Sequence, residues 1–111
     1  MKISEDVKKQ ALDHAKEDSP RESVGLVHIV KGRERYFRCK NQAEEPELHF
    51  CLDPSDYLKC ENQGEIIGVI HSHPTTNQNP SEADKVACER SNLPWFIVNP
   101  NTEKWGYYEP S

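Results

Sequence analysis

The sequence predicts an α+β sandwich, a mixed and mostly antiparallel sheet flanked by helices. Three observations carry that expectation. Short β-branched or aromatic runs recur at 23–30, 34–39, 65–70, 95–98 and 104–108, with turn residues between them. Helical periodicity marks 3–17 and 81–90. The length of 111 residues suits one domain spanning 1–111.

In residues 3–17, Ile3, Val7, Ala11 and Ala15 recur every four positions, and Glu5 and Asp6 suit the positive end of a helix. Ser19-Pro20 ends it, because a residue before proline avoids helical dihedrals. Residues 23–30 and 34–39 pair as strands across Lys31-Gly32-Arg33. Residues 41–52 show no clear period, although Phe50 and Leu52 suit a short strand. Asp53-Pro54-Ser55-Asp56 opens a short helix reaching about Cys60. Residues 65–70 form a continuous apolar run, the pattern of a buried central strand. That strand delivers the chain into His71-Ser72-His73-Pro74 and a polar loop over 75–80. Ser81 to Arg90 is a helix with Ala83, Val86 and Ala87 on its inner face. Trp95–Val98 is another buried strand, Asn99-Pro100-Asn101 turns, and Lys104–Tyr108 returns as the last strand.

Hydrophobic residues make up 34% and charged residues 30%, so the core is thin and a bound metal would add stability by favouring the folded state. The net charge is −5, with basic residues scattered among acidic ones. That disfavours phosphate-driven nucleic-acid binding and anionic membranes. No run of ~18 apolar residues and no apolar leader is present, which predicts a cytoplasmic setting. Cys39, Cys51, Cys60 and Cys88 form no Cys-x-x-Cys pair and read as free thiols, two or three of them buried. None carries a nucleophile signature. His14 reads as a helix-surface residue, His28 as a packed or edge histidine, and His49 as having no ligand role.

One constellation carries chemistry. His71 and His73, two apart on an extended segment, point to the same side, and Asp84 in the first turn of the next helix offers a carboxylate. Two imidazoles and a carboxylate on Zn²⁺ leave a fourth position for water, the pattern of a catalytic site. Zinc lowers the pKa of such water to about 7. Glu22, just before the first strand, is the candidate general base. Ser81, one helical turn before Asp84, is the candidate donor to an oxyanion. Ser72 would face away from the metal and support the site by hydrogen bonding. Each residue also has a plainer reading. The histidines can be solvated at a strand exit, Glu22 can be a surface charge beside Arg21, and Ser81-Glu82-Ala83-Asp84 is a good helix start with Ser81 as N-cap.

Together the residues resemble the JAMM motif of the MPN+ metalloproteases: an upstream Glu, then His-[Ser/Thr]-His, seven residues, and Ser-x-x-Asp. Here His71-Ser72-His73 is followed by Pro74 to Pro80 and then Ser81-Glu82-Ala83-Asp84, without a gap. The resemblance covers roughly 3–108. It is closer still to the JAMM domains of phage tail assembly proteins of the lambda K type, through Pro20–Leu26, Pro80–Asp84 and Ser91–Trp95. The family implies a three-layer, cytidine-deaminase-like fold and hydrolysis of peptide or isopeptide bonds. Implied substrates are a ubiquitin-like modifier or a phage tail protein, which extends the expected setting to the virion tail. Longer relatives in that group carry an NlpC-like cysteine peptidase domain after the JAMM domain, and this chain stops at Ser111. A non-catalytic, metal-stabilised scaffold of a tail tip is the alternative. A zinc deaminase is disfavoured, because its Glu two residues after the first ligand and its later Pro-Cys-x-x-Cys are missing.

Overall fold

The structure is a computed structural model describing residues 2–111. Its elements run α1 (Glu5–Asp18), β1 (Val24–Val30), β2 (Arg33–Cys39), α2 (Pro54–Gln63), β3 (Glu65–Ser72), α3 (Glu82–Ser91), β4 (Trp95–Val98) and β5 (Trp105–Tyr108). The five strands form one sheet in the order β2-β1-β3-β4-β5. Three neighbouring pairs are antiparallel and one, β3 with β4, is parallel, the expected mixed sheet.

The sheet separates two apolar clusters. On one side α1 contributes Val7 and Ala11 to a cluster with Val27, Tyr36, Ile70 and Phe96. On the other, Cys60 of α2 and Cys88 of α3 join Val24, Leu26, Val69 and Trp95. Helices therefore cover both faces, giving three layers. Alternation along β3 assigns its side chains: Ile70 faces α1, whereas Val69 and His71 face α2 and α3. His71 thus enters the more crowded layer.

Several local expectations need correction. Ser4 caps α1, its Oγ accepting the Val7 N–H at 3.2 Å, so the helix begins two residues later than its periodicity suggests. His14 is buried at 4% exposure and meets the Tyr36 hydroxyl at 2.8 Å through Nδ1. It occupies the position after Val7 and Ala11 in the inward stripe, and Tyr36 supplies the polar partner that makes its burial affordable. The β1–β2 turn has two residues, not three: Lys31 and Gly32 both take positive φ, as a type I′ hairpin requires, and Arg33 opens β2. Phe50 and Leu52 form no strand; one bridge pairs Asn41 with Leu52. α2 continues to Gln63, past Cys60. β3 runs on through His71 and Ser72. On α3, Ala87 faces inward as expected, but Ala83 is exposed and Val86 is 52% exposed; Asp84 and Cys88 face inward instead of those two.

All four cysteines are free, with Cys39, Cys60 and Cys88 buried and Cys51 exposed. Burial pushes the Cys39 and Cys60 thiols up to about 12 and Cys88 to about 11, far from nucleophilic character. Among the described residues no helix is long and apolar enough to cross a membrane.

Candidate metal centre

The site lies where β3 ends beside its parallel neighbour β4, the end of a parallel pair where crevices open. His71 is the penultimate residue of β3, and His73 continues the extended chain, its N–H donating to the Val98 carbonyl at 3.0 Å. The β1–β3 register pairs Val24 with His71. Counting back along β1 sets Glu22 opposite His73. Ser72 reinforces that register: its N–H donates to the Ser23 carbonyl at 3.0 Å, and its Oγ accepts the Ser23 N–H at 2.7 Å. The upstream glutamate, remote in sequence, is thereby tied to the histidine strand.

Glu22, His71 and His73 are all buried, at 7%, 0% and 7% exposure. Each offers a ligand atom within 4.8 Å of the other two, a set able to hold a metal ion. Asp84 reaches in from α3. The His71 and His73 Nε2 atoms lie 3.2 Å apart, His71 Nε2 lies 3.2 Å from Asp84 Oδ1, and His73 Nε2 lies 3.0 Å from Asp84 Oδ2. Ligand atoms about 2.0–2.1 Å from a tetrahedral zinc are separated by about 3.3 Å, close to these spacings. The donor set suits the metal as well, being two imidazole nitrogens and a carboxylate.

Tautomers support the fit. The carbonyl of Asn77 accepts from His73 Nδ1 at 2.9 Å, which leaves the Nε2 lone pair aimed at the cluster. The loop carrying Asn77 is held by side-chain amides: Asn99 Nδ2 donates to the Thr76 carbonyl and Asn101 Nδ2 to the Pro74 carbonyl, both at 2.8 Å. Gly106 of β5 completes this support, since a Cβ there would collide with the Gln78 carbonyl. His71 is oriented differently. Its Nδ1 is buried with no hydrogen-bond partner. Its ring packs between Phe50, with centroids 4.6 Å apart, and Trp95, at 5.4 Å.

Burial and charge set the protonation states of the metal-free site. Desolvation pushes the Glu22 carboxyl up to about 8; His73 opposes this and Asp84 adds to it. Complete burial drives His71 down despite its contact with Asp84. Desolvation acts downward on His73 too, but the Asp84 carboxylate, the Asn77 carbonyl and Glu22 outweigh it and raise its pKa. Burial works against charge on Asp84, yet the two imidazoles hold it well below the usual carboxylate range. In the metal-free pocket the Asp84 carboxylate thus favours a proton on His73 Nε2, so protons and a metal ion compete for the same lone pair.

Ser81 and Asp84 form a reciprocal capping box. Ser81 Oγ accepts the Asp84 N–H at 3.0 Å, and Asp84 Oδ2 accepts the Ser81 N–H at 2.9 Å. A hydroxyl that accepts at the cap keeps its own proton to donate, and Ser81 lines the cavity beside Asp84, so capping and a chemical role coexist. Asn41, which no sequence motif marks, also shapes the site. Its Nδ2 donates to the carbonyls of Glu22 at 2.9 Å and His49 at 3.0 Å, and its Oδ1 accepts from Ala43 and Cys51 at 3.0 Å each. One side chain folds the irregular 41–52 segment back onto Glu22. Asn following a strand was its only trace in the sequence, shared with ordinary turn residues.

A three-layer fold with a buried Glu-His-His cluster at the end of its central strand defines a JAMM/MPN-type domain with a candidate metal site. The chain belongs to the family of prokaryotic homologs of the JAB domain, whose model matches residues 4–107. It is similar to tail tip assembly protein K of Escherichia phage N15, 44% identical over 88 residues, which is 79% of this chain and 36% of that protein. The match thus spans about a third of the relative's length. Among solved structures, protein DSY2949 of Desulfitobacterium hafniense has a TM-score of 0.75 at 25% identity, covering 98% of this chain and 88% of that one. AF2198 of Archaeoglobus fulgidus, a JAB1/MPN domain protein, has a TM-score of 0.66 at 26% identity, covering 98% and 89%.

Proposed function

We propose that the chain is a zinc-dependent peptidase or isopeptidase domain acting on a protein substrate during phage tail assembly. The observation that carries this reading is the convergence of His71 Nε2, His73 Nε2 and the Asp84 carboxylate at 3.0–3.2 Å, with Glu22 at the same buried cluster. His71, His73 and Asp84 would hold the ion. When bound, Zn²⁺ supplies Lewis acidity toward a carbonyl oxygen and makes water acidic enough to lose a proton near neutral pH.

The chain's own groups supply the rest. Glu22 accepts the proton of the attacking water on a carboxylate oxygen and returns it to the leaving amine. Its buried position favours the protonated form, which suits the second task, and a nearby cation favours the charged form needed for the first. Ser81 donates its hydroxyl proton to the oxygen that gains charge. Asn77, through His73 Nδ1, and Ser72, through Ser23, keep the imidazole and the carboxylate in register.

A second reading is a metal-stabilised scaffold of the tail tip, in which Glu22 closes the site as a fourth ligand. The presence of Glu22 within 4.8 Å of both histidine ligand atoms favours it, as does the assembly role in the name of the N15 relative. One experiment separates the two. The zinc-loaded chain is incubated with phage tail tip proteins, with and without chelator, and zinc content is measured alongside. A zinc stoichiometry near one with chelator-sensitive cleavage supports the peptidase. Absence of zinc uptake would refute both readings.

A further inference from the structure

We propose that the cavity beside the metal-site cluster is a specificity pocket for one large apolar side chain, of leucine or phenylalanine size, flanking the scissile bond of a peptide. This rests on the peptidase reading above. The cavity has a volume of about 590 Å³, within the roughly 300–1,000 Å³ range of ligand pockets. Glu22, His73, Ser81 and Asp84 line it, so any occupant lies against the groups assigned to the chemistry.

The remaining wall is mostly carbon. Tyr57 of α2, Val69 of β3, Ala87 of α3 and Trp95 of β4 line it, with Leu52 and Leu93 from the connecting segments. Val69 and Trp95 are buried members of the sheet, so the floor is preformed. No Lys or Arg lines the cavity, and its carboxylates are Glu22 and Asp84. That charge balance disfavours an acidic side chain, and the carbon wall, which offers no partner to a buried charge away from the metal-site cluster, favours a neutral apolar one. Leu48 also lines the cavity and is 57% exposed, so in a chain short of hydrophobic residues a leucine is left facing water at the opening. Covering it on binding removes apolar area from solvent. Glycine or alanine would leave the carbon wall largely uncovered.

The test uses four matched probes, acetyl-Gly-X-Gly-amide with X as Phe, Leu, Gly or Asp. Each is titrated into the full chain, zinc-loaded and metal-free, and followed by backbone amide NMR. The expected result is binding of the Phe and Leu probes at least about tenfold tighter than the Gly and Asp probes. Their shifts should concentrate at Tyr57, Ala87 and Leu93. Ala87→Trp, which puts an indole into the cavity beside the carbon wall, should bring the Phe probe down to the Gly level with zinc uptake retained. Leu48→Asp, at an exposed position, should weaken the Phe probe and serves if Ala87→Trp does not fold. Equal binding of all four probes, shifts remote from the cavity, or a Phe preference surviving in the folded variants would overturn the proposal. Zinc uptake with equal probe binding removes the pocket alone. Apolar preference without zinc uptake removes the metal reading and leaves the pocket standing.

Discussion

Ser72 Oγ accepts the backbone N–H of Ser23 at 2.7 Å, and both residues are buried. This bond joins β3, which presents His71, to the end of β1, which presents Glu22. Ser72→Ala would leave the Ser23 N–H buried without a partner, at a cost of about 1–3 kcal/mol. A urea melt of the metal-free protein should show the midpoint falling with the slope unchanged. An unchanged midpoint would mean that the Ser23–Ser72 pair does not hold the two strands.

Zinc should stabilise the chain, because the cluster binds metal only when folded. At a free zinc concentration one hundred times Kd the gain is about 2.7 kcal/mol. A calorimetric scan should show the melting temperature rising with zinc and returning with chelator. His73→Ala should abolish that rise. A zinc-dependent rise of equal size in the variant would place the metal elsewhere.

Glu22→Gln separates base from ligand and also tests the pH behaviour. In the metal-free fold the Glu22 carboxyl is raised from 4.5 to about 8 by burial. The folded state thus holds a proton that the unfolded chain has lost between those values. Its contribution is fully present below 4.5 and is lost as pH rises through about 8. Wild-type stability should therefore fall relative to Glu22→Gln between pH 5 and 9 in chelator. Parallel curves would contradict the buried carboxyl. With zinc, a variant that keeps metal affinity but loses cleavage identifies the base, whereas lost affinity identifies a fourth ligand.

Phe50 should matter for metal binding although it offers no ligand. The buried His71 Nδ1 has no partner, so its ring orientation depends on packing between Phe50 and Trp95. Phe50→Ala should weaken zinc binding by roughly tenfold or more, the scale of losing an outer support. Phe50→Tyr should restore most of it. Competition titration against a chromophoric chelator reads both, and equal affinity for the alanine variant and the wild type would reject the idea.

His14 and Tyr36 extend the same logic to the far layer. Tyr36→Phe removes the hydroxyl that meets His14 Nδ1 and should cost about 1–3 kcal/mol. Desolvation lowers the His14 pKa against the pull of Asp18. Its stabilising contribution is therefore present above the unfolded value of 6.5 and is lost as pH falls through the folded value. Thermal melts across pH 5–8 in chelator should show wild-type stability declining on the acid side relative to His14→Gln. Parallel curves for the two would count against a buried, neutral His14.

Much of the architecture was legible because it rests on local periodicity. The inward stripe of α1, the apolar run of β3 and the capping signal Ser81-x-x-Asp84 each state their structure within a few residues. The motif spacing likewise singled out His71, His73, Asp84 and Glu22, since a strand sends residues two apart to one side. The tertiary structure decided what depends on distant partners. It buried His14 because Tyr36 arrives from β2, and it turned Ala83 and Val86 outward because the path of α3 follows Cys88 and Asp84. It folded 41–52 around Asn41, set Glu22 opposite His73 through the Ser23–Ser72 pair, and clamped His71 between Phe50 and Trp95. Periodicity reports which face of an element is apolar, whereas which side chain meets which across the fold is set by strand register and packing, and no local pattern encodes those.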